Sequence, residues 1–171
     1  MSETTGQNLP EPWLRGTLTE VNPVIRAALH ALELAKEDTW RWCYPLTLDQ
    51  LNQTAGRVAP VAFHLRHIGR SLDRLLTYAE GAPLNDEQMA ALRSELGAAN
   101  SHEEVFAELS VALERSRKRL LALQQVNFAT ERAVGKKRLP TTVGGLVVHL
   151  AEHTQRHVGQ AITTAKIVGA H

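Results

Sequence analysis

The 171 residues carry 19 Lys and Arg against 18 Asp and Glu, and a formal net charge of +1 gives no field to draw in nucleic acid or acidic lipid. With 43% hydrophobic and 22% charged residues, the composition is that of a globular protein, and the length suits one domain rather than several. No apolar run reaches the ~18 residues of a membrane span, the N-terminus lacks a basic-plus-apolar signal pattern, and lone Cys43 has no disulfide partner, so a reducing, cytoplasmic location is expected.

The opening "MSETTGQNLPEP" is polar and marked by prolines, and residues 1–16 are expected to form a flexible tail ahead of a domain over 17–171. Strand-like alternation is nearly absent, while four long helical patterns stand out. The first covers about Val21 to Asp38, with Val24, Ile25, Ala28, Leu29, Leu32 and Ala35 at three- and four-residue spacing and Pro23 in the first turn. Thr47 and Gln50 then offer a capping box for a short helix at "TLDQL". The second long helix begins near Ala59-Pro60, is seamed by Val61, Leu65, Ile68, Leu72, Leu75 and Ala79, and stops at Gly81 before Pro83.

A minor helix is expected over "NDEQMAALRSEL". The third long helix starts at Ser101, whose S-x-x-E spacing with Glu104 predicts a capping box, and runs to about Val126. A linker from Asn127 to Pro140 holds the basic turn "GKKRLP". The last helix runs from about Thr141 or Thr142 to Val168 along Val143, Leu146, Leu150, His153, His157, Ala161, Thr164 and Val168. Four amphipathic helices with little else predict an all-α four-helix bundle with short extra helices, and the long second-to-third connection leaves room for a crossover. Trp13, Trp40 and Trp42 are read as core and rim packing.

Eight histidines are many for this length, and "HLAEHTQRHVGQ" at 149–160 spaces three of them four residues apart. With Leu150 at zero and about 100° per residue, His153 falls near −60° and His157 near −20°, within the seam, and His149 near −100° on its flank. Imidazoles inside an apolar seam need partners for their nitrogens, and i, i+4 spacing lets two of them share one divalent ion. A further ligand is then expected from a facing helix, where "FHLRHIGRS" offers His64 and His67. With Ile68 at zero the seam centres near +20°, placing His64 at about −40° and His67 at about −100°. The wheel thus favours His64 without settling the choice, because a ligand can enter from a seam's edge.

The same stretch contains "HLAEH", the H-x-x-E-H pattern of inverzincin peptidases, with His149 and His153 as ligands and Glu152 as base. Those peptidases draw a further acidic ligand from downstream, and no Asp or Glu follows Glu152. The protease reading is therefore set aside.

With these residues in view, the chain resembles the DinB family of metal-dependent four-helix bundles, which includes YfiT-like proteins. "HIGRS" at 67–71 matches the family's helix-two element, a histidine followed by an aliphatic and a small residue. "HLAEHTQRHVGQ" matches the last-helix pattern H-x-x-x-H-x-x-x-H-x-G-Q, including Gly159 and Gln160, with Arg156 where many relatives carry another histidine. The resemblance spans about residues 20–168. It implies His67, His153 and His157 as ligands of one divalent ion, zinc or nickel foremost and iron or cobalt as alternatives, with His64 as the fallback ligand. His149 and Glu152 become candidates for hydrogen-bonding the site or for acid–base work.

The resemblance further implies a homodimer and an enzyme acting on a small molecule, either a metal-dependent hydrolase or a transferase using a low-molecular-weight thiol such as mycothiol or bacillithiol. The alternative is a non-catalytic metal-binding or stress-linked interaction protein on the same bundle. Nucleic acid is not expected as a partner, nor is a membrane. "ERSRKRL" at 114–120 reads as a solvated helix face and "GKKR" as a turn, with no recognition motif beside either.

Overall fold

The computed structural model describes residues 9–169. It is built on six helices: α1 (Pro23–Trp42), α2 (Leu48–Asn52), α3 (Val61–Ala79), α4 (Asp86–Arg93), α5 (His102–Ala122) and α6 (Val143–Val168). A two-stranded hairpin, β1 (Glu131–Val134) and β2 (Leu139–Thr142), precedes α6. Of the expected N-terminal tail, residues 1–8 lie outside the described residues. From there on the chain makes a single 3-10 turn at Pro12–Leu14, and Arg15 forms a forked pair with Glu37 and reaches Glu33 on α1.

Local chemistry sets the helix ends. The Asn22 side chain accepts from the Val24 N–H, and Pro23 spends its missing donor in the first turn. Thr47 with Gln50, and Asn85 with Gln88, close reciprocal capping boxes on α2 and α4. Ser101 caps α5 by accepting from the Glu104 N–H, but its hydroxyl turns to Glu103, so the expected box is only half made. Gly81 takes a φ of 86° just past α3, where Ala82 N–H returns to Thr77 O at 3.0 Å. Only a residue without a Cβ enters that left-handed region freely.

Two segments depart from the sequence reading. α1 continues past Asp38 to Trp42, because nothing before Pro45 breaks it and Trp40 gains an edge-on contact with Phe106 at 5.2 Å. The linker is not merely a turn: β1 and β2 pair antiparallel, with Glu131 opposite Thr142 and Val134 opposite Leu139. Four-residue strands are too short to declare a period of two. Arg132 Nε donates to Ala79 O at 2.8 Å and so ties the hairpin to the end of α3. Of the tryptophans, Trp13 is 62% exposed rather than packed, while Trp42 lies at the surface under Lys166 Nζ, 4.3 Å from its ring centre.

The long helices pack as a ring in the order α1, α6, α3, α5. Among the long helices, α1 with α3 and α5 with α6 are consecutive in the chain and lie on diagonals, so the crossovers are the first and last connections, whereas the second-to-third connection, where one was expected, joins the neighbours α3 and α5. Leu65, Ile68, Leu72 and Leu76 of α3 meet Ile25, Leu109, Leu120 and Leu150 in a core that excludes water. α3 comes close to α5 at Gly69, where an added Cβ would stand 2.9 Å from the Ala112 Cβ. Gly69→Ala is accordingly expected to lower stability by about 1–2 kcal/mol, the packing clash outweighing the gain in helix propensity. Urea denaturation of both single variants and of the double variant with Ala112→Gly checks this, the double-mutant cycle returning a favourable coupling on the order of 1 kcal/mol.

Candidate metal centre

The contact of α3 with α6 brings imidazoles together. His67 from α3 and His153 and His157 from α6 each present a ring nitrogen, all within 4.8 Å of one another. His67 Nε2 lies 2.9 Å from His153 Nε2, and the His67 and His157 rings are 4.4 Å apart between centres. Phe63, one turn earlier on α3, stacks against His67 at 5.3 Å. All three histidines are half-buried.

That burial corrects the expected seam. The fully covered face of α6 runs through Leu150, Thr154, Val158, Ala161 and Ala165, so His153 and His157 stand on its edge rather than inside it. The physical reason is the ring order: α6 is wedged between α1 and α3, and His153 and His157 line the side turned to α3.

His64 is the most deeply buried of the candidates at 4% exposure, and it contacts His157 without joining the three-nitrogen group. Its Nδ1 is 3.0 Å from His157 Nδ1, and its Nε2 has no hydrogen-bond partner among the described residues. His149 and Glu152 lie exposed on the outer side of α6, where His149 Nδ1 meets Glu152 Oε1 at 2.9 Å. Arg156 shares the same carboxylate oxygen at 3.1 Å. Gly159 and Gln160 are exposed as well.

One residue at this centre escaped the sequence reading. Glu95, 4% exposed in the segment between α4 and α5, places Oε2 2.7 Å from His67 Nδ1, and Arg74 Nη1 donates to its other oxygen. The sequence carries no pattern that marks it, because the segment has no helical or strand period. The only trace is on α3, where Arg66, Arg70 and Arg74 repeat at one-turn spacing and require acceptors.

Burial depresses the imidazoles. It pushes His157 down to about 3 and His64 and His153 down to about 4, with neighbouring His67 as the next cause in each case. Near pH 7 these three are neutral, and a neutral imidazole has one N–H and one lone pair. Two ring nitrogens at 2.9 Å cannot both present bare lone pairs to each other without a proton or a cation between them. The donor set fits a divalent ion: two neutral imidazoles one turn apart on α6 and a third from the facing helix, each with a ring nitrogen turned to the same place.

A four-helix bundle with a histidine cluster set between two facing helices defines the class. Within that class the DinB superfamily profile matches residues 31–161, and the chain belongs to this superfamily. Comparison with curated proteins gives no match. No helix among the described residues is long and apolar enough to cross a membrane.

The depressed imidazoles fix the direction of the pH response of the metal-free protein. Between the ordinary histidine value near 6.5 and the folded values near 3 to 4, the unfolded chain binds more protons than the native one. Their contribution is fully present above about pH 6.5 and is lost as pH falls from there. The urea midpoint of chelator-treated protein is therefore expected to drop between pH 7.5 and pH 5, and a His64→Gln, His153→Gln, His157→Gln variant is expected to show a flatter profile.

Proposed function

We propose that the chain is a metal-dependent enzyme acting on a small molecule, either a hydrolase or a transferase that takes a low-molecular-weight thiol as co-substrate. The observation that carries this reading is the convergence of three imidazoles at a half-exposed edge, with no fourth His, Cys, Asp or Glu joining the group among the described residues. Such a donor set leaves coordination positions open, the property that separates catalytic from structural sites. His67, His153 and His157 would hold one divalent ion, zinc or nickel foremost and iron or cobalt as alternatives. When bound, the ion supplies Lewis acidity, which polarises a carbonyl, acidifies water or stabilises a thiolate.

The remaining roles fall to the chain's own residues. His64 contacts His157 through Nδ1 and steadies that ring. Phe63 covers one face of His67 and keeps that side apolar. Glu152 and His149, hydrogen-bonded to each other on the outer rim, are the candidates for moving a proton to or from a substrate at the open side. Cys43 supports an exogenous thiol rather than an internal one. It is fully buried, and burial pushes its thiol up to about 12, so it offers no thiolate near neutral pH. The same residue agrees with a cytoplasmic setting. Val148 and Ile167, exposed on α6, give apolar surface for a homodimer.

The second reading is a non-catalytic metal-binding or stress-linked interaction protein. It is favoured by a cleft of about 1290 Å³ beside the hairpin, which is lined by residues such as Tyr78, Met89 and Arg138 and by none of the three metal-centre histidines.

Metal analysis of purified wild-type protein is expected to return one divalent ion per chain. His67→Ala, His153→Ala and His157→Ala should each lose most of it, and His64→Ala should retain it. Emptying by His64→Ala with retention in His67→Ala would transfer the α3 ligand to His64. Esters and activated electrophiles, the latter tested with an added thiol, then distinguish the readings. Turnover abolished by a chelator and restored by the ion supports the enzyme, whereas fully loaded protein without turnover supports the binding protein.

A further inference from the structure

Glu95 belongs to no helix or strand, yet it is among the most buried charged residues of the chain. Its segment, Ser94 to Ser101, is clasped from α3. Arg66 donates to Gly97 O at 2.7 Å and to Ala98 O at 3.3 Å. One turn on, Arg70 donates to Ala91 O at 2.9 Å and to Ser94 Oγ at 3.1 Å, while its Nε meets Glu108. Another turn on, Arg74 takes Glu95 Oε1. From α2, Asn52 exchanges two hydrogen bonds with the backbone of Ala99, at 2.7 and 2.9 Å. An irregular stretch is thus held at four places, and the carboxylate it carries ends against His67.

A carboxylate paired with an arginine accepts hydrogen bonds and donates none. With Glu95 Oε2 2.7 Å away, His67 Nδ1 must carry a proton. In the neutral ring Nε2 is then the bare nitrogen, and Nε2 is the atom that points at His153. We infer that Glu95, held by Arg74, is a positioning residue that locks His67 in the Nδ1–H tautomer and so aims the lone pair of Nε2 into the histidine cluster. The consequence for metal affinity rests on the metal-binding reading above; the tautomer itself does not.

Glu95→Gln provides a nearly isosteric inversion. An amide has one acceptor oxygen, and Arg74 claims it, so the NH₂ group is left facing His67 Nδ1. Nδ1 must then accept, and the proton moves to Nε2, where it blocks the cluster. Long-range ¹⁵N–¹H spectra of the metal-free proteins are expected to show His67 as Nδ1–H in wild type and as Nε2–H in E95Q. Zinc affinity, measured by competition with a chromophoric chelator, is expected to fall about 10–100-fold in E95Q, the range for lost partners behind a ligand. If E95Q does not fold, E95A serves, with His67 expected to relax to mixed tautomers. Retention of Nδ1–H in the variant, or zinc affinity within threefold of wild type, overturns the inference. Wild-type protein that takes up no zinc sinks the metal-binding reading alone, and the spectra still judge Glu95.

Discussion

Imidazoles crowded between α3 and α6 need somewhere to put their lone pairs, and the architecture around them answers to that need. Burial makes the charged form of His64, His153 and His157 costly, so these rings are neutral, and each keeps one lone pair that a neighbouring N–H or a cation must meet. The fold accommodates His67, His153 and His157 on the edge of the core instead of its centre. There the seam of α6 stays apolar through Leu150, Val158 and Ala161, while the side turned to α3 takes the polar load. Glu95 contacts the His67 nitrogen opposite the one that meets His153, and His64 contacts Nδ1 of His157.

The charged surface is organised by the same helix. Arg66, Arg70 and Arg74 do not stand free on α3 but hold the segment after α4. Arg119, from the basic run of α5, is likewise committed: it pairs with Asp73 and Glu80 and donates to Thr77. A near-zero net charge and an internally engaged set of arginines describe one situation. The cations here brace α3 against its neighbours.

Much of this was legible in the residues. Apolar spacing marks four long helices, and the caps at Thr47 and Ser101 are local chemistry that needs no tertiary context. The i, i+4 pair His153 and His157 is likewise a property of one helix. The choice between His64 and His67 is of another kind, since an angle from a seam's centre does not say what packs on each flank. α3 is covered by α5 on one side and α6 on the other, so a residue well off the seam's centre still meets a neighbour. The resemblance named His67, and of the two it is His67 that joins the three-nitrogen group. Glu95 was beyond both, because it reaches His67 across 28 residues from a stretch with no period. The hairpin was missed because each strand holds only four residues.

Cys43 closes α1 at a point where no solvent reaches it. A sulfhydryl so placed is shielded from alkylating reagents and peroxide for as long as the bundle stays shut. Because the sequence contains one cysteine, its labelling reports a single event, the opening that uncovers the end of α1. The chain therefore carries an intrinsic clock for its own breathing, one that can be timed without adding a probe.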